Sequence, residues 1–179
     1  IATALDDPGL AAVARAMLAL AHYASGEYRR AVDMGVQAAT PEDVRAEGFG
    51  IVLPPAVYGP TVASWALAEL GEFADARRLA DAAVLTAETL THPHSVIFAN
   101  LGRGFVLLRQ GAVDAAVAVL EHALDIWTTA DLPAVLLELA GPLASAYAQA
   151  GRAADAIALL ERAVAEAVLL RHRLGNALG

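Results

Sequence analysis

Polar and apolar positions along the chain fall into four copies of one pattern. Each copy is an apolar, Ala-rich helical stretch, a tight turn built on Gly, and a second helical stretch with Ala at fixed offsets. The turns read Ser25-Gly26-Glu27-Tyr28, Leu70-Gly71-Glu72-Phe73, Gln110-Gly111-Ala112-Val113 and Ala150-Gly151-Arg152-Ala153. Five residues after each Gly stands Ala31, Ala76, Ala116 or Ala156, and twelve after it stands Ala38, Ala83, Ala123 or Ala163. The Gly-to-Gly spacings are 45, 40 and 40 residues, a period that predicts a helical solenoid. The Gly supplies the positive φ that ends one helix and lets the next begin. The fixed Ala positions let paired helices approach closely. Tyr28, Phe73, Val113 and Ala153 fill the space beneath each turn, so packing there lightens toward the last unit.

Eight helices are predicted, over about 8–25, 27–39, 58–70, 72–90, 93–110, 112–129, 133–150 and 152–172. Asp7-Pro8, His92-Pro93 and Asp131-Leu132-Pro133 read as helix openings, a capping side chain followed by a first-turn Pro. A break is expected over Thr40 to Pro55, where Gly48, Gly50, Pro54 and Pro55 cluster, and Pro142 should kink its helix. Arg171, His172 and Arg173 suit the negative end of the last helix, with Gly175 to Gly179 frayed beyond it. The repeat units are 8–39, 57–90, 93–129 and 133–172 within a single domain spanning 1–179, read as a fragment of a larger protein because position 1 is Ile. The window Leu132 to Ala150 approaches the length of a membrane span, but its Ala content, Glu138, Gly141 and Pro142 favour a buried helix.

Composition narrows the function classes. Of 179 residues, 44 are Ala and 26 are Leu, 58% are hydrophobic and 18% charged, which excludes a disordered chain and favours helix over strand. Cys is absent, so disulfides, thiolate metal sites and Cys nucleophiles are excluded. Lys is absent too, which rules out a Walker-type phosphate loop. The net charge of −8 argues against a nucleic-acid partner.

The small residues at Ala19, Ala31 and Ala38; Ser64, Ala76 and Ala83; Gly104, Ala116 and Ala123; and Ala144, Ala156 and Ala163 resemble the tetratricopeptide repeat family. The resemblance implies an all-α, right-handed superhelix of four helix pairs. The period of about 40 departs from the family's usual 34 residues, and the family's Pro after the second helix survives only as Pro41, Pro93 and Pro133. A narrower resemblance rests on Gly26-Glu-Tyr-Arg-Arg-Ala31, Trp65 to Ala74, His92-Pro-His-Ser95, Leu107-Leu-Arg-Gln-Gly111 and Ala146 to Arg152. These stretches are similar to the C-terminal repeat region of bacterial signalling proteins that join a class III adenylate cyclase domain, an AAA-type ATPase module and a long tetratricopeptide tail. That resemblance implies a non-catalytic, regulatory, protein-binding tail in the cytoplasm; it carries over neither cyclase nor ATPase activity. Related tails on ATPase-type transcription regulators make an effector-binding domain the first alternative. A self-association module, giving a homodimer through exposed end helices, is the second.

The chemistry in the sequence is sparse. His92 and His94 flank Pro93, and a metal there would need a third ligand such as Glu88 or Asp131; a helix-start loop is the simpler reading. Gly102-Arg103-Gly104 reads as close helix packing, and Asp6-Asp7 and Glu42-Asp43 read as caps. No enzyme, cofactor or metal is expected. The family resemblance assigns the concave groove to Val13, Ala16, Leu20 and Tyr23; Tyr58, Thr61, Trp65 and Ala68; Phe98, Leu101, Phe105 and Leu108; and Glu138, Gly141, Ser145 and Ala148. Its centre is aromatic, with Asn100, Arg109 and Glu138 nearby, and it lacks the Lys, Asn and Arg of a carboxylate clamp. The binding candidates are therefore Tyr23, Tyr58, Trp65, Phe98, Asn100, Phe105, Arg109 and Glu138, with a protein or peptide as partner and no membrane. Trp127 is assigned to core or inter-unit packing.

Overall fold

The computed structural model describes residues 7–39, 53–130, 132 and 135–177, with the backbone alone for 172–177. The described residues form eight helices and no strand: α1 (Pro8–Ala24), α2 (Tyr28–Gln37), α3 (Pro55–Glu69), α4 (Phe73–Thr89), α5 (Pro93–Arg109), α6 (Val113–Ala130), α7 (Val135–Gln149) and α8 (Ala153–Ala177). They make a solenoid of four helix pairs. The break predicted from Thr40 lies outside the described residues as far as position 52, and so do Asp131 and Pro133 at the expected opening of α7.

Local signals read from the sequence carry through. Gly26, Gly71, Gly111 and Gly151 all have positive φ, between 76° and 81°. At α1 the Leu10 amide donates to the Asp7 carboxylate at 3.0 Å with Pro8 in the first turn. At α5 the Ser95 amide donates to His92 Nδ1 at 3.3 Å, so His92 is a capping residue. Ala31, Ala76, Ala116, Ala38, Ala83 and Ala123 are each at most 1% exposed, because the partner helix stands directly on them.

Two boundaries differ from expectation. Helix α3 begins at Pro55 rather than near position 58, since Pro in the first turn gives up only an amide that no helix would have paired. Helix α8 runs on to Ala177 rather than fraying from Gly175. Arg171 to Arg173 therefore lie inside the helix and not at its end. Leu, Arg and Ala are strong helix formers, and one Gly costs about 1 kcal/mol, too little to stop the helix alone.

Packing between helices is asymmetric. The first helices of successive pairs approach one another closely, α1 on α3, α3 on α5 and α5 on α7, whereas among the described residues second helices come less close and meet through side chains, as where Arg162 of α8 lies over Trp127 of α6. Helices packed side by side on one face and splayed on the other curve the array, so the α1–α3–α5–α7 side is concave. Helix α3, with twelve of its fifteen residues buried, is the centre of the array and is apolar on every side. It crosses α2 backbone to backbone. A side chain at Gly35 would collide with the Gly59 carbonyl, and one at Gly59 would lie 2.6 Å from Ala38 Cβ. From α5 to α7 the core changes character, with Ile97, Leu120, Leu136, Leu139 and Leu143 fully buried.

Candidate functional site

Helix α1 sends Tyr23 to the concave side, and α3 and α5 each send two aromatic side chains there at helical spacing, Tyr58 with Trp65 and Phe98 with Phe105. They meet in a continuous run of rings. Tyr23 lies 5.8 Å from Trp65, which lies 5.6 Å from Phe98 and 6.1 Å from Phe105. Tyr58 stacks on Phe98 with centroids 4.9 Å apart and planes 5° from parallel. Trp65 is thus the hub, touching rings from both neighbouring helices. Offset and tilted pairs of this kind contribute about 0.5–1.5 kcal/mol each beyond area burial. Gly102 permits the arrangement: a Cβ there would lie 3.2 Å from Trp65 Nε1 and would clash with the Thr61 methyl. The indole N–H, pressed against that bare backbone, has no hydrogen-bond partner among the described residues.

The rings wall a concave cavity of about 400 Å³, lined by Leu20, Tyr23, Leu53, Tyr58, Trp65, Phe98, Leu101, Phe105, Glu138 and Pro142. Six of the eight sequence-predicted candidates line it. Asn100 does not. It is buried on another face of α5 and donates from Nδ2 to the Val96 carbonyl at 2.8 Å, a bond within its own helix. Arg109 stands beyond the cavity wall, ion-paired with Glu69 and 5.9 Å from the Phe105 ring centre. Of the other residues assigned to the groove, Ala16, Thr61 and Ala68 are buried between helices. Gly141, Ser145 and Ala148 on α7 are exposed but lie outside the cavity.

Leu53 and Pro142 were not among the expected wall residues. Leu53 precedes α3 in a stretch without helical periodicity, and its 6% exposure follows from packing against the core of α5 to α7. Pro142 lies inside α7 facing the cavity, in a helix that continues to Gln149.

Among the described residues, Glu138 is the one ionisable wall residue apart from the two tyrosines. His94 Nε2 lies 3.5 Å from its Oε2, within ion-pair reach but without a hydrogen bond, and His94 is 9% exposed. Burial pushes the Tyr58 hydroxyl above its ordinary value, and the Glu138 carboxylate adds to that. Burial does the same to Tyr23, helped by Glu69. Both phenols therefore stay neutral donors at physiological pH. His92 and His94 are not paired for a metal: the rings are 6.4 Å apart, with His92 facing Ser95 and His94 facing Glu138. Among the described residues no group of three His, Asp or Glu is placed to hold a metal ion. No helix among them is long and apolar enough to cross a membrane.

A tetratricopeptide repeat family model matches residues 12–34, 61–82 and 137–162. These segments fall on the first, second and fourth pairs; the third, α5–α6, has the same form. No curated protein matches the chain in sequence. Solved structures share the fold. A Rap protein complexed with competence and sporulation factor superposes with TM-score 0.74 at 15% identity over 90% of this chain, which spans 44% of the Rap chain. BtubC (BKLC) from P. vanneervenii gives 0.66 at 21% identity, covering 92% of this chain and 66% of its own. Kinesin light chain TPR-like repeats from Podosopora anserina give 0.62 at 20% identity, covering 90% and 76%. In three segments the chain is thus similar to tetratricopeptide repeats, and the solved structures share its solenoid fold.

Proposed function

We propose that the chain is a non-catalytic module that binds a protein or peptide in its aromatic groove. The observation that carries this reading is the cavity of about 400 Å³ walled by rings from three successive helices. Half-buried aromatics on a concave surface bury large area at small entropic cost when a partner docks, and so mark binding hot spots. The Rap structure of the same fold holds a bound factor, which fits this use of a helical solenoid. The finer reading, a regulatory tail on a cytoplasmic adenylate cyclase or ATPase signalling protein, rests on the sequence stretches from Gly26 to Arg152 described above. An effector-binding domain of a transcription regulator would use the same cavity for a small ligand.

The test is selection of peptides from a displayed random library on the wild-type protein, repeated with Tyr23→Ala plus Phe105→Ala. Enrichment on the wild type alone, with helicity unchanged by circular dichroism, supports the groove. Equal enrichment on both proteins overturns it.

One observation favours self-association as a second reading. Ile157, Leu160 and Val164 on α8 are 59%, 44% and 63% exposed, whereas Val117, Leu120 and Leu124, at the same offsets from the Gly turn of the third pair, pack into the core. At the other end, Met17 and Leu18 of α1 are exposed, whereas Val62 and Ala63 at the matching places in α3 are fully buried. A head-to-tail contact between copies would cover both faces. A mass by sedimentation that stays monomeric up to millimolar concentration excludes it.

A further inference from the structure

Carboxylate, aromatic ring and arginine recur together in this molecule. Glu69 pairs with Arg109, whose guanidinium lies over the Phe105 ring. Glu121 accepts from Arg152 Nη1 at 2.9 Å and from the Tyr147 hydroxyl at 3.0 Å, with the same guanidinium 4.2 Å from the Tyr147 ring centre. In both cases a ring face and a carboxylate hold one cation between them, the geometry that suits a planar guanidinium.

The groove wall brings a third carboxylate beside aromatic rings. Glu138 stands in the cavity wall beside Tyr58 and Phe98, which are stacked on each other. Among the described residues only His94 comes within ion-pair reach of Glu138. That imidazole is nine-tenths buried, and its Nε2 has no hydrogen-bond partner among the described residues. The Glu138 side chain is 49% exposed, open to an arriving group. The chain's net charge of −8 would draw a cation toward it.

We propose that the groove is specific for a partner segment presenting a cationic side chain, arginine above all, beside an apolar one. The guanidinium pairs with Glu138 against the Tyr58–Phe98 stack, and the apolar residue packs on Trp65 and Phe105. This rests on the groove being the binding surface. Shape alone does not select the charge; Glu138 does, because a neutral side chain in that place would desolvate the carboxylate without compensating it.

The probe is the tripeptide acetyl-Leu-Phe-Arg-amide, compared with acetyl-Leu-Phe-Gln-amide. Binding is read from the indole N–H resonance of Trp65, distinguished from Trp127 by a Trp127→Phe variant. The Arg peptide should shift the Trp65 resonance and bind about fivefold more tightly than the Gln peptide, the scale of a partly exposed charge pair with a ring contact. Glu138→Gln should remove that preference, and Glu138→Asp should restore part of it. The preference should shrink with added salt. Equal binding of both peptides, unchanged in Glu138→Gln, overturns the charge specificity and leaves an apolar groove. No Trp65 shift with either peptide at millimolar concentration overturns the specificity and counts against the groove itself.

Discussion

Gly35 of α2 and Gly59 of α3 face each other so closely that a Cβ on Gly59 would lie 2.6 Å from the Gly35 carbonyl oxygen. The contact is backbone on backbone, so nothing flexible can yield. It fixes the first helix pair on the second and thereby places Tyr23 against Trp65. Gly59→Ala should destabilise the protein by about 1–3 kcal/mol despite the better helix propensity of Ala, because overpacking forces the helices apart. Gly141→Ala is the comparison: apart from its chain neighbours and its own helix's backbone, nothing among the described residues lies within 4 Å of its Cβ position. That change should be near neutral, the helix propensity of Ala being offset by the crowding of its Cβ against the Pro142 ring. Urea titrations should show the clear loss for Gly59→Ala alone. A stabilising Gly59→Ala would refute the tight crossing.

Trp65 and Phe105 divide the work of the aromatic run. Trp65 touches three rings, so Trp65→Ala should cost about 3 kcal/mol and lower the melting temperature by roughly 6–12 °C. Phe105 contacts the ring of Trp65 and the Arg109 head. Phe105→Ala should cost about 1–2 kcal/mol while preserving helicity. Thermal melts of each single variant check this order; equal losses would contradict the hub role of Trp65.

Trp127 ties the end of α6 to the start of α7. Its Nε1 donates to the Leu132 carbonyl at 2.7 Å, and Arg162 of α8 lies over its ring at 4.7 Å. Trp127→Phe keeps most of the apolar volume and leaves that carbonyl with the Val135 amide alone, at a cost of about 0.5–1.5 kcal/mol. Chemical unfolding should show this loss with no change in peptide binding at the groove, which lies on other helices.

Glu27 sits at the first Gly turn with His22 Nδ1 at 2.5 Å and Arg30 Nη1 at 3.1 Å. The hydrogen bond from His22, then that from Arg30, holds its carboxyl below the ordinary carboxylate value. A group with a depressed folded-state pKa binds fewer protons folded than unfolded. Its stabilisation is therefore present above the ordinary carboxylate value and lost as pH falls through the folded one. Glu27→Gln should lower the melting temperature slightly at neutral pH, and the difference from wild type should vanish below the carboxylate range. A difference that persists in acid would point to packing in place of charge.

The candidate groove was legible to different depths. Tyr23, Tyr58, Trp65, Phe98, Phe105 and Glu138 reach the cavity because each follows the family's small-residue register, which repeats along the chain. Asn100 was misplaced since proximity in sequence to Phe98 says nothing of direction: two residues along a helix turn the side chain by about 200°. Leu53 was missed because it belongs to no helical register.

The sequence by itself determined the helical repeat, the four Gly turns, the caps at Asp7 and His92, and the small residues where helices cross. Those are local matters: φ preference, a side chain within three residues of an amide, and a volume limit at a fixed offset. The tertiary structure decided the rest. Only the close packing of first helices side by side, with the second helices farther from one another, creates a concave face. Only the Gly35–Gly59 and Gly102–Trp65 approaches set how near the aromatic rings of α1, α3 and α5 come to one another. Whether a ring is core or groove depends on the curvature summed over several pairs, and no single repeat contains that information.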